Sequence, residues 1–216
     1  MTIGGVYRQI SNLLTKYLHK LLSWMKFGLW GPFYISPKAV LVGPQHIKIA
    51  SGAIIFTGSE LNTSGAPYSF PFRTKVASGF ITIGFNSKIK NHALLFTYQG
   101  SISIGNNCTV NPYSIIYGEG GVKIGNDVMI AAHCIIVSSS HLHKELHTPM
   151  NTQGISSRGI VIHDNVWIGA GVKILDGVTI GAGAIIAAGA VVTRSIPDFA
   201  IAGGVPANII RMRDGR

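Results

Sequence analysis

The chain has 216 residues, of which 47% are hydrophobic and only 12% charged, and its formal net charge is +10. That length suits one domain with a sizeable core, and no apolar run approaches the length that crosses a bilayer. The basic balance favours anionic partners, yet no nucleic-acid-binding motif is present, which sets nucleic acid aside.

Residues 1–30 read as one amphipathic helix. Ile10, Leu13, Leu14, Tyr17, Leu18, Leu21, Leu22 and Met25 recur at helical spacing. Arg8, Lys16, Lys20 and Lys26 add positive charge, and Gly28 with Gly31-Pro32 closes the segment. Such a helix packs on its own body or on a partner subunit. The sharper alternative is peripheral contact of residues 1–28 with an anionic membrane surface. The N-terminus lacks a charged start followed by an apolar run and a cleavage site. The expectation is a cytoplasmic protein, peripheral at the inner face of the cell membrane under the second of these readings.

Residues 35–194 follow another period. Ile162, Ile168, Ile174, Ile180, Ile186 and Val192 stand six apart, with Val166, Val172, Val178, Ala184 and Ala190 four positions on. Neither a helix nor a lone strand has that step; hexapeptide repeats make a parallel β-helix, an all-β solenoid. Three hexapeptides form a triangular coil of about eighteen residues, whose aliphatic side chains stack inward. The same step runs through Ile83, Ile89 and Leu95, through Ile104, Val110 and Ile116, and through Ile124, Ile130 and Ile136. Residues 35–62 read as an irregular first coil, and extra residues near Glu119 and Gly120 as a longer corner.

Two stretches break the period. Residues 63–79 carry Pro67 and Pro71 and read as an outward loop. Residues 138–159 are polar and hold His141, His143 and His147. A polar excursion of this length on a rigid scaffold is a good place for a functional site. Residues 195–216 leave the coil and form a short cap. Cys108 and Cys134 fall at coil positions that take small apolar residues, so they read as buried free thiols in a reducing compartment; they make neither a disulfide framework nor a zinc cluster.

Three strings carry a more specific message: IGNDVMIAAHCIIVSSSH, IHDNVWIGAGVKILDGVTIGAGAIIAAGAVVT and IPDFAIAGGVPANIIR. Together they resemble the hexapeptide-repeat acyltransferases. The branch is that of the galactoside, maltose and nodulation-factor O-acetyltransferases and of enzymes that decorate bacterial surface polysaccharides. The likeness covers roughly residues 80–213. It implies a left-handed β-helix, a homotrimer, acetyl-CoA as donor, and active sites in the clefts between subunits.

The chemistry to be explained is acetyl transfer from a thioester to a hydroxyl. A protonated alcohol is a poor nucleophile, and a neutral imidazole beside it takes the proton as attack proceeds. The register of the family motif selects His141 as that general base. The same register puts Asn111 on an acceptor-contacting position. It puts Glu119 where a carboxylate hydrogen-bonds the sugar or orients the imidazole. Their simpler readings are a corner residue for Asn111 and a solvated turn for Glu119.

For the donor, the resemblance implies contacts at Trp167, Gly169, Ala170, Ala188, Thr193, Arg194 and Arg211. Arg194 and Arg211 suit the nucleotide phosphates, and the small residues also suit plain corner geometry. Asn208 stands where similar enzymes often carry a basic residue, which removes one phosphate contact. Neither cysteine has an activating partner in sequence, so direct transfer through a ternary complex is expected, with no metal.

Three alternatives stay open: N-acetylation of an amino sugar, a non-catalytic trimeric scaffold, and a zinc hydratase on the same scaffold. The last needs three histidine ligands, and no matching ligand spacing appears within a coil.

Overall fold

A computed structural model describes residues 33–64 and 79–214. The helix expected over residues 1–30 and most of the 63–79 loop lie outside the described residues.

Elsewhere the six-residue step becomes a left-handed parallel β-helix with three faces. The first face stacks Tyr34–Ile35, Ile54–Ile55, Lys88–Ile89, Thr109–Val110, Met129–Ile130, Trp167–Ile168 and Ile185–Ile186 in parallel, coil upon coil. The second begins with Val40–Val42 and ends with Val191–Val192; the third runs from Ile47–Ile49 to Thr179–Ile180. Successive strand residues point to opposite sides. In each strand one aliphatic residue therefore faces the axis while its neighbour faces out. Ile130, Ile168 and Ile186 are buried in register one above another, whereas Met129 and Trp167 stand half exposed beside them. Each fully buried isoleucine contributes about 1.5–3 kcal/mol over an exposed one. A low charged fraction follows from a core this long and narrow.

The coils are not all equal. Thr82 pairs with Ser103, 21 residues on, while Val161 pairs with Thr179, 18 residues on. The early coils have longer corners between the second and third faces, which is the extra length visible near Glu119. Residues 35–62 are regular in register: Tyr34 pairs with Ile54 and Val40 with Glu60. Their irregular look in the sequence comes from these longer corners and not from a broken ladder.

The corners are held by small polar groups. Ser87, Ser114 and Ser138 are buried, and each hydroxyl binds backbone across coils. Cys108 and Cys134 are buried and free; their Sγ atoms donate to the carbonyls of Gly125 at 3.0 Å and Gly169 at 3.1 Å. Asn86, Asn107 and Asp127 take left-handed backbone conformations at successive turns of the edge that also carries Ser87 and Cys108. Their side chains bond in a row, at 3.2 and 3.1 Å, which offsets the cost of positive φ.

Both interruptions leave from the edge between the second and third faces. The chain departs after Thr63 and rejoins at Gly79, whose N–H donates to Thr63 O at 3.0 Å. The longer excursion departs after Ser138 and rejoins at Ile160. At its base Ser140–His141 pairs antiparallel with Ile155–Ser156.

The sequence reading ends the coil at residue 194, but the ladder runs further. Ile196 still pairs in parallel with Ile180, and Ala200–Gly204 continues the first face beside Ile185–Ile186. Ile196, Ala200 and Ala202 are buried aliphatic or small residues that extend the core; Ile196 and Ala202 stand six apart, but the step from Val192 to Ile196 is only four. The cap itself is the antiparallel strand Ala207–Met212, which closes that face. Among the described residues no helix is long and apolar enough to cross a membrane.

Candidate active site

The edge that releases the excursion also carries the most chemistry. A cavity of about 410 Å³ opens there, lined by Tyr98, Tyr117, Glu119, Val137, Ser139, Ser140, His141 and Ile155. Three successive coils contribute. Tyr98 follows Leu94–Phe96; Tyr117 ends Ile115–Tyr117, with Glu119 in the corner beyond; Val137 ends Ile135–Val137. His141 and Ile155 come from the two-stranded base of the excursion, where they pair directly.

Two clamps fix these pieces. Ser138 Oγ donates to Tyr117 O at 2.8 Å and accepts from Gly120 N at 3.0 Å, so it holds both ends of the corner that carries Glu119. Asp176, one coil further along, is 6% exposed. Its Oδ1 accepts from the N–H groups of Arg158 at 2.8 Å and Gly159 at 2.9 Å. The Arg158 side chain adds an ion pair at 3.4 Å and a donation to Asp176 O at 2.9 Å. A backbone-bound carboxylate therefore pins the foot of the excursion.

Tyr98 is held by its neighbours' rings. Its ring lies 5.9 Å from that of Tyr117, which lies 6.0 Å from Phe96. Burial, then the nearby Tyr117 and Glu119, push the Tyr98 phenol above its ordinary value, which keeps it a protonated donor.

His141 and Glu119, two of the residues read from the sequence, thus meet in one cavity. Asn111 does not join them. It sits on the edge between the first and second faces, and its Nδ2 donates to Ile130 O at 2.8 Å, which suits a corner role. His143 and His147 are exposed on the excursion. His133 is exposed and stacks on Tyr113 at 5.3 Å. His163 is exposed as well. Tyr98 and Tyr117 were not singled out by sequence. Their signal was an aromatic pair bordering glycine-rich corners.

The residues implied for the donor divide among three places in a single chain. Trp167 is exposed on the first face, in register with Ile185 and Ile201, and Ile201 pairs with Arg211. Three strand spacings, about 14 Å, therefore separate Trp167 from Arg211. Gly169, Ala170 and Ala188 lie on the edge between the first and second faces. A Cβ on Gly169 would meet Ala188 N at 2.6 Å, so this glycine is required by coil packing. Ala170 and Ala188 are exposed, and a Cβ on the adjacent Gly189 would meet nothing within 4 Å, so that edge is open. Thr193 and Arg194 are exposed two coils beyond His141, on the cavity's own edge. Among the described residues no three His, Cys, Asp or Glu side chains gather as a metal site.

The six-residue coil and its polar excursion define a hexapeptide-repeat β-helix protein. Residues 159–194 match the family model described as bacterial transferase hexapeptide (six repeats). The chain is 38% identical over 133 residues to the galactoside O-acetyltransferase of Escherichia coli, covering 61% of this chain and 64% of that protein. It is 31% identical over 168 residues to a probable acetyltransferase of Mycobacterium tuberculosis, covering 77% of this chain and 54% of the relative. The chain therefore spans between about half and two thirds of the length of these relatives. Among solved structures, it is similar to a hexapeptide-repeat-containing acetyltransferase of Vibrio cholerae complexed with acetyl coenzyme A. The TM-score is 0.55 and the identity 29%, over 64% of this chain and 72% of that one.

Proposed function

We propose that the protein is an acetyltransferase that moves an acetyl group from acetyl-CoA to a hydroxyl of a sugar or surface-polysaccharide precursor. The observation that carries this reading is the convergence of His141 and Glu119 in one cavity on the edge that releases the excursion. The similarity to acetyltransferases, one of them a galactoside enzyme, supports it.

The chemistry is direct transfer. Neutral His141 takes the proton of the acceptor hydroxyl as its oxygen attacks the thioester carbonyl. The tetrahedral oxyanion collapses, the C–S bond breaks, and the sulfur leaves as the thiol with the proton that His141 returns. Glu119 holds the acceptor or the imidazolium in place. Burial pushes the thiols of Cys108 and Cys134 above their ordinary value, which suits structural sulfurs and not an acyl-enzyme nucleophile. Trp167, Gly169, Ala170, Ala188, Thr193, Arg194 and Arg211 form the acetyl-CoA site. Asn111, which lies on the edge between the first and second faces, enters the acceptor site of this reading only from a neighbouring copy.

The working unit of this reading is a homotrimer. A single prism spreads the donor and acceptor residues over different edges, and a second copy laid against the first brings edge and face together. Leu146 and Met150, at 90% and 66% exposed on the excursion, supply apolar surface for that contact. Residues 1–28 carry two options in this reading of a cytoplasmic enzyme: packing on the body or a partner subunit, or peripheral contact with the inner face of the cell membrane.

The test is to incubate the protein with acetyl-CoA and a panel of sugars and amino sugars, following thiol release and the mass of the acceptor. O-acetyl sugar is the expected product. Acetyl found only on nitrogen would replace this reading with N-acetylation, and no acetyl on any acceptor would contradict it.

A further inference from the structure

The cavity has a chemical asymmetry that its proposed base does not explain. One wall is aromatic, built from Tyr98 and Tyr117, whose rings lie 5.9 Å apart at an interplanar angle of 33° with Phe96 behind Tyr117. Tyr98 reaches that wall from a left-handed backbone position, φ 52°, which a bulky residue occupies only when its surroundings hold it there. The opposite chemistry comes from Glu119. Among the described lining residues there is no Lys or Arg, although the chain as a whole carries +10. A basic protein has thus kept its cations out of this cavity and put a carboxylate in it.

We infer that Tyr98 and Tyr117 form a stacking platform for the acceptor ring, and that this subsite takes an uncharged pyranose in preference to a uronic, sialic or phosphorylated one. The axial C–H groups of a pyranose carry slight positive charge and meet the negative face of an aromatic ring. Its equatorial hydroxyls, at the rim, donate to the Glu119 carboxylate. The raised phenol of Tyr98 remains a donor for a ring oxygen. An anionic ring would set like charges together, with no Lys or Arg among this chain's lining residues to offset them. The volume of about 410 Å³ falls within the range of small-molecule sites. This inference rests on the acetyl-transfer reading for the location of the acceptor, but ring binding is measurable without turnover.

The experiment uses methyl pyranosides and the matching methyl uronides as probes, with the full-length protein. Saturation-transfer NMR reads binding, and steady-state assays read KM for acceptor and for acetyl-CoA. The variants are Tyr117→Leu and Tyr98→Asn, the latter because asparagine tolerates positive φ. Thermal melting checks that both remain folded. The account expects saturation on the axial protons of the neutral ring and an acceptor KM raised about threefold to tenfold in each variant, with the KM for acetyl-CoA unchanged. It also expects at least about fivefold weaker binding of the uronide, a ratio that Glu119→Gln narrows. Equal binding of uronide and neutral ring, or an acceptor KM unmoved in both folded variants, would overturn the inference while leaving acetyl transfer standing. Neutral-ring binding on this wall with no acetyl transfer to any sugar would keep the inference and remove the transfer reading. No binding of any pyranoside would overturn the inference outright.

Discussion

Ser138 donates its hydroxyl to the carbonyl of Tyr117 at 2.8 Å, from one coil to the coil before it. The same oxygen accepts from Gly120 N, so a buried serine at the root of the excursion sets the corner that presents Glu119. Ser138→Ala leaves both backbone groups without that partner. The expected loss is about 1–3 kcal/mol of stability, together with reduced turnover at temperatures where the protein stays folded. Denaturant melts and activity on the same samples check both. An unchanged midpoint would mean that water replaces the hydroxyl at no cost.

The excursion's other foot depends on Asp176. Asp176→Asn keeps the shape but leaves only one oxygen for N–H groups that now share a carboxylate, and it removes the charge facing Arg158. Hydrogen bonds to charged groups contribute about 1.5–3 kcal/mol each, and the exposed Arg158 side chain adds little. A looser excursion displaces His141 and Ile155, so kcat should fall while the KM for acetyl-CoA holds. Proteolysis within residues 139–158 should quicken. Identical cleavage and identical kcat would show that the foot is fixed by something else.

Cys108 and Cys134 provide a pH test. Burial pushes both thiols above the usual 9.0. The folded state then keeps protons that the unfolded chain releases, so their contribution is complete below about pH 9 and is lost as pH rises through the folded values. Stability should fall on the alkaline side, and less steeply in a Cys108→Ala, Cys134→Ala protein. A thiol reagent should label neither cysteine before unfolding. Rapid labelling of the native protein would contradict their burial.

The excursion's apolar tip gives an assembly test. Leu146 and Met150 are the most exposed of the excursion's large apolar residues, ahead of Leu142 and Ile155. Light scattering should find three copies of the 23.0 kDa chain, and Leu146→Ser with Met150→Ser should shift the balance toward monomer and lower activity. A native protein that is monomeric at assay concentration would remove the shared-site model.

Much of the architecture was legible because stacking forces a strict period: Ile162 to Val192 keep six-residue spacing, and each of these aliphatics is buried. Where the coils lengthen, the period slips in sequence but not in register, so residues 35–62 look irregular and are not. The end of the coil was hidden because the step from Val192 to Ile196 shortens to four residues before Ala202 resumes the six-residue spacing. His141 and Glu119 were reachable through a family register, and the edge brings them together. Tyr98 and Tyr117 were not, because Tyr117 is an outward strand residue like any other until the corner above it bends Glu119 alongside. Asn111 came from the same register, but within one chain it lies on another edge, where its amide nitrogen binds the Ile130 carbonyl.

The most direct measurement compares native protein and His141→Ala for thiol release from acetyl-CoA with a neutral sugar acceptor. The account predicts turnover lower by about 10²–10⁴-fold, with an unchanged melting temperature because the imidazole is exposed and outside the core. Turnover in His141→Ala equal to that of the native protein would contradict it.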